Sequence, residues 1–130
     1  MTPESLAKAG TEHAHQTALF CWAAIEASFG HPELMLMFAI PNGGERNKIV
    51  AANLKAEGVK RGTPDIFLPV ARGSWHGLFI ELKKPGGRAS KDQLETIAAL
   101  HAQGYGAVVC VGWQEASNVI KQYLAWGSNA

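Results

Sequence analysis

The sequence predicts an α/β domain: a mixed sheet of about four strands with helices packed on its faces. Stretches with apolar residues at helical spacing alternate with short apolar runs, in the order α-β-α-β-β-α-β-α. Glycine and proline mark the breaks between them. With 130 residues, 47% hydrophobic and 18% charged, the chain has the size of one domain and can bury a core without staples. Residues 1–130 are therefore read as a single domain, and fibrous or disordered classes are excluded.

Thr2-Pro3-Glu4 opens a helix with proline in its first turn, and Gly10 interrupts it. Thr11 is an N-cap for a helix to Phe29, where Ala18, Trp22, Ile25 and Phe29 form the inner stripe and Gly30 with Pro32 ends it. Leu34 to Ile40 carries no polar residue and suits a strand. Pro41-Asn42-Gly43-Gly44 is a turn, followed by a helix from about Arg46 to Glu57 that stops at Gly58. Asp65–Leu68 and Gly77–Lys83 read as strands joined by a hairpin through Arg72-Gly73-Ser74. After Pro85-Gly86-Gly87, Ser90-Lys91-Asp92-Gln93 has the form of a capping box. It starts a helix that packs Leu94, Ile97, Ala98 and His101 and stops at Gly104. Ala107–Val111 is a strand, and Trp113 to Trp126 a last helix with Ala116, Val119, Ile120, Tyr123 and Leu124 inward.

Cys21 and Cys110 stand in apolar surroundings without Cys-x-x-Cys spacing, so both are read as buried small hydrophobes. There is no apolar leader and no run long enough to span a membrane, which points to an intracellular protein. His13-x-His15 on a helix points its rings about 200° apart, so the five histidines are surface or core residues and not a metal set. The net charge of +1 hides an uneven distribution: residues 46–91 hold ten basic against three acidic residues, while both flanks are net acidic. Such a segment is either a solvated face or the footprint of a phosphate backbone.

The chemistry lies in Gly62-Thr63-Pro64-Asp65 and, sixteen positions after Asp65, Glu81-Leu82-Lys83. Side chains alternate along a strand, so Glu81 and Lys83 share one face and Ile80 and Leu82 the other. An antiparallel hairpin brings Asp65 to the end of the second strand, and two carboxylates converge. Converging carboxylates repel, and a hard divalent cation relieves that repulsion. Mg²⁺ suits these oxygen donors, with the Leu82 backbone carbonyl as a further ligand. It would activate water and neutralise charge on a phosphodiester, while Lys83 orients the water or steadies the transition state. Taken alone, Pro-Asp is a common turn and Glu-x-Lys a common solvated alternation. Their coupling inside the most basic segment is what points to a site.

Several motifs together resemble the stand-alone phage and bacterial VRR-NUC nuclease domain of the PD-(D/E)xK superfamily. They are Glu12-x-x-x-Gln16, Asn42-Gly43-Gly44, Leu54-Lys55-x-Glu57-Gly58, Gly62-x-Pro64-Asp65, Gly77-Leu78-x-Ile80-Glu81-Leu82-Lys83, Ser90-x-x-Gln93 and Gly104-Tyr105, spread in order over nearly the whole chain. The resemblance implies a restriction-endonuclease-like core, Mg²⁺ or Mn²⁺ dependence and cleavage of structured DNA. It assigns Asp65 and Glu81 as metal ligands, Lys83 as the catalytic lysine and Gln93 as a further catalytic glutamine. Glu12 matches the acid of the first helix, reaching the metal directly or through water; the start of a helix is also an ordinary place for a glutamate. Gln93 has a second job as the capping partner of Ser90.

Arg46, Lys48, Lys60, Arg61, Lys84, Arg88 and Lys91 are collectively expected to contact DNA phosphates. The reading is thus a Mg²⁺-dependent endodeoxyribonuclease, cytoplasmic in a bacterium or phage-encoded in a bacterial host, acting on branched DNA and in particular four-way (Holliday) junctions as a homodimer. The apolar run Leu34–Ile40, Trp75 and Trp126 offer surface for the dimer. A flap or nicking nuclease and a catalytically silent DNA-binding module are the alternatives; nothing in simple backbone binding needs two carboxylates in a basic site.

Overall fold

The protein is described here by a computed structural model, which covers residues 1–41 and 48–127. Helix α1 (Pro3–Leu6) is capped by a reciprocal Thr2–Ser5 box and runs through a 3-10 turn to Gly10, whose φ of +74° ends it. Helix α2 (Glu12–Ser28) follows, with the Thr11 hydroxyl accepting from the Ala14 N–H at 3.0 Å. Then come β1 (Phe38–Ala39), α3 (Lys48–Ala56), β2 (Ile66–Leu68), β3 (Leu78–Lys83), α4 (Lys91–Ala102), β4 (Gly106–Val111) and α5 (Trp113–Leu124).

The sheet order is β1-β2-β3-β4, antiparallel across the first two junctions and parallel at the last. It is the mixed, helix-flanked sheet that the alternating pattern predicts. Leu78, Ile80 and Leu82 point to one face of β3 and are buried with Leu19, Trp22, Ile66, Leu68, Ile120 and Leu124 between the sheet, α2 and α5. Two contacts tie this core to the chain ends. The Tyr123 hydroxyl donates to the Val70 carbonyl at 2.6 Å, and the Trp113 N–H donates to His15 Nδ1 at 3.0 Å, so His15 is a core histidine.

Several elements differ from the sequence expectation. Leu34 to Ile40 is not one strand: Pro32–Leu36 forms a 3-10 turn, and only Phe38–Ala39 joins the sheet. Leu34 and Met37, three apart, are the buried pair, which is the spacing of that tighter helix. On α2 the burial stops at Ala23, so Ile25 and Phe29 lie exposed on the turns that run past the core. Helix α4 buries none of its residues. Leu94, Ala98 and His101 are exposed, and Ile97 is half-buried. At the C-terminal end of the helix His101 lines a cavity of about 450 Å³ shared with β4 and α5. Helix α5 ends at Leu124 and buries Trp113 and Ser117, with Val119 only half-buried. Cys110 is buried, and burial pushes its thiol up to about 12, but Cys21 is half-buried. The expected turn at Asn42-Gly43-Gly44 and the start of the third helix at Arg46 lie outside the described residues.

Candidate active site

Strand β2 meets β3 with Ile66 opposite Ile80 and Phe67 opposite Phe79, so the next pair outward is Asp65 opposite Glu81, on the face away from the core. Asp65 Oδ2 accepts from the Leu82 N–H at 2.9 Å, which fixes this carboxylate at the end of the ladder. Its backbone carbonyl accepts from the Ile40 N–H at 2.6 Å, anchoring the same residue to the end of β1.

Glu81 is 1% exposed. Its Oε2 lies 3.3 Å from Lys83 Nζ and accepts from Gln93 Nε2 at 3.0 Å. Oε1 is buried with no hydrogen-bond partner. Two residues apart on one strand, Glu81 and Lys83 share a face as the alternation requires. Burial and the nearby Asp65 carboxylate push Glu81 up to about 8 against the downward pull of Lys83.

Gln93 is the capping partner of Ser90 and also touches Glu81. Its Oε1 accepts from the Ser90 N–H at 2.7 Å in the capping box, while its amide nitrogen holds Glu81. The loop before Asp65 is brought to the same helix end by Gly62, whose φ is +83° and where an added Cβ would lie 2.7 Å from the Asp92 carbonyl oxygen. Helix start, loop and strand end thus meet at one place.

The other candidates are distributed as follows. Lys48, Lys60, Arg61, Lys84, Arg88 and Lys91 are all exposed, and five of them, all but Lys48, lie within a few residues of Asp65, Lys83 or Gln93 in the chain. Arg61 pairs with Asp92 at 3.5 Å and Lys91 with Glu95 at 3.9 Å; at such exposure these pairs are weak and leave both cations accessible. Arg46 lies outside the described residues. Glu12 is exposed in the first turn of α2. The start of that helix meets Trp113 through His15, and the Gly112 N–H donates to the Lys83 carbonyl at 2.8 Å, so Glu12 is at the Lys83 end of the sheet. It does not join Asp65 and Glu81: among the described residues no group of three or more histidine, cysteine or acidic side chains converges.

Sequence reasoning missed a row of aromatic rings beside the carboxylates. Its signal was present in Phe67 and Phe79, two residues from Asp65 and Glu81 and therefore on their face.

The pKa of Glu81 has a consequence for stability. An acid whose folded pKa lies above its unfolded value binds more protons in the folded state, so stability falls as pH rises from 4.5 to about 8. Thermal melts in chelator across that window should show the wild-type chain losing stability with pH and Glu81→Gln losing less. Parallel profiles would mean that Glu81 ionises without this cost.

The sequence model described as the VRR-NUC domain matches residues 3–114. A solved structure described as "VRR_NUC domain protein" is 36% identical, with a TM-score of 0.78 and 90% of each chain covered. None of the curated proteins matches the chain.

Proposed function

Because this chain belongs to the VRR-NUC domain family, a family of nuclease domains of the PD-(D/E)xK type, we propose that it is a divalent-metal-dependent endonuclease that cuts branched DNA at the Asp65–Glu81–Lys83 centre. The observation that carries the reading is Glu81: a carboxylate kept out of water, opposite a second carboxylate, with one oxygen unpartnered. Lys83 and Gln93 hold only the other oxygen, and burial beside Asp65 makes the group costly to ionise, so Oε1 is left as a donor for a cation that would favour the charged form.

The residues present fit a hard cation. Asp65 and Glu81 offer oxygen donors, and the Leu82 carbonyl shares the strand edge on which its N–H meets Asp65. Mg²⁺ or Mn²⁺ is the natural class, in line with the general metal dependence of the family. When bound, such an ion activates water and draws charge off the phosphodiester. The chain's own residues do the rest. Gln93 holds the Glu81 carboxylate in its rotamer, and Lys83 presents a compact positive charge beside the reacting phosphate. Glu12, on the same end of the sheet but outside the acid pair, acts in this reading through water.

Lys60, Arg61, Lys84, Arg88 and Lys91, with Lys48 and Arg46, are the phosphate contacts. DNA binding should therefore weaken steeply with salt, and the double substitution of Lys60 and Arg61 should lower the log-log slope by about one per lost contact. A slope identical to wild type would put the DNA on another face.

One centre cuts one strand, whereas resolving a four-way junction takes two symmetric cuts, so the working unit in this reading is a two-fold homodimer. Exposed apolar side chains are available at Met35 and Leu36 within the Leu34–Ile40 run and at Trp126, with Trp75 half-buried. Among the described residues no helix is long and apolar enough to cross a membrane. That is compatible with the cytoplasmic location proposed for an enzyme of DNA. The test is the mass by light scattering, expected at twice 13.9 kDa, together with paired incisions on an immobile junction. A strict monomer that nicks flaps and leaves junctions whole would favour the flap or nicking alternative.

A further inference from the structure

We propose that the aromatic row beside the carboxylates is a stacking platform for an unpaired nucleobase of the DNA strand held at the centre, an inference that rests on the nuclease reading. The sheet register sets Phe38 opposite Phe67 and Phe67 opposite Phe79, so three phenylalanines cross three strands in one line. The next line, about 7 Å along the strands, contains Asp65 and Glu81.

The rings are fixed relative to one another. Phe67 and Phe79 stack with centroids 4.2 Å apart and planes at 23°, and Phe38 meets Phe67 edge-on at 5.8 Å. Tyr105 closes the far side, 5.4 Å from Phe79. Gly77 makes room for this: a Cβ there would come within 2.8 Å of the Phe67 ring.

The cluster is open to solvent on this face of the sheet. None of the four rings belongs to the buried core, which lies on the opposite face of the sheet. Phe38 is 48% exposed, and the other three are half-buried. Exposed lysines and arginines border the same end of the sheet at Lys60, Arg61 and Lys84. Phe67 and Phe79 each cover a face of the other, so Phe38 is the most open ring of the row. An open aromatic ring next to cations matches a nucleobase attached to its phosphates, since every base offers a π-face and the phosphates meet the charge. A protein or lipid chain would use the rings without needing those cations. Bases inside a duplex are already stacked, so only a strand with an unpaired base next to the cut gains the contact. The platform thereby gives a small domain a source of preference for branched DNA.

The experiment measures binding in chelator, without cleavage, to oligonucleotides of equal length that carry 2-aminopurine either unpaired at a branch or within a duplex. Phe38→Ala should weaken binding to the branched DNA on the order of ten-fold and leave duplex binding unchanged, and Phe38→Tyr should restore it. The 2-aminopurine emission should fall on binding the wild-type chain and stay high with Phe38→Ala. Equal effects on both DNAs, or none on either, would overturn the proposal. Tyr105→Leu repeats the test from the other side of the row should Phe38→Ala fail to fold, with the same outcomes deciding it. Loss of cleavage in Asp65→Asn reports separately on the nuclease reading, so the two can fail independently.

Discussion

Asp65→Asn and Glu81→Gln will each reduce phosphodiester cleavage by on the order of a thousand-fold or more while leaving the fold and most DNA affinity in place. Both substitutions keep the shape of the side chain and remove only its charge. Asp65 receives the Leu82 N–H and Glu81 receives Gln93 Nε2, and an amide oxygen can accept either bond, so the strand end and the helix start remain tied. What is lost is the pair of negative oxygens that a cation needs. Circular dichroism and thermal melts check the fold, salt-dependent binding checks DNA affinity, and single-turnover cleavage of a labelled branched substrate with Mg²⁺ measures the effect. Turnover of either variant at the wild-type rate would remove these residues from the chemistry.

Lys83→Ala should show the next largest effect, a fall in the cleavage rate of about a hundred-fold or more. Two causes add in the proposed reading: the variant would lose the charge set beside the phosphate, and it loses the ammonium that pulls the pKa of Glu81 down. The acid limb of the pH-rate profile should therefore shift to higher pH, so that part of the deficit is recovered in alkaline buffer and part is not. Lys83→Met, which keeps the apolar stem of a side chain only 12% exposed, separates these effects from lost packing. A full-rate Lys83→Ala would reassign the lysine to neutralising Glu81 alone.

The convergence of Asp65, Glu81 and Lys83 was legible because it depends on rules that hold residue by residue: alternation along β3, and a hairpin that returns Asp65 to the end of that strand. Ser90 and Gln93 were legible for the same reason, as a capping box occupies four consecutive positions. Capping Ser90 does not keep Gln93 from Glu81, since an amide has separate donor and acceptor ends and the chain uses both. What escaped the sequence depends on tertiary contacts. The run Leu34–Met37 has no polar residue to reveal its period, and only packing shows that Leu34 and Met37 are the inward pair. Helix α4 has an acceptable apolar stripe, yet Leu94 and Ala98 are exposed to solvent, which only its tertiary setting decides. The phenylalanine row requires the register of β1 on β2, which a two-residue strand does not announce.

The β2–β3 hairpin carries a consequence for how the chain folds. Its contacts are local, closing a loop of modest length, whereas the parallel pairing of β4 must wait for the crossover through α4. An early hairpin puts Asp65 against Glu81 before Gln93 arrives to hold the second carboxylate. With the hairpin formed that early, part of the cost of ionising Glu81 beside Asp65 would be present in the transition state. Raising the pH is then expected to slow refolding more than it speeds unfolding, which stopped-flow rates in chelator would check. The acid pair proposed for the chemistry would in this way also act as a pH-sensitive brake on the chain's own assembly.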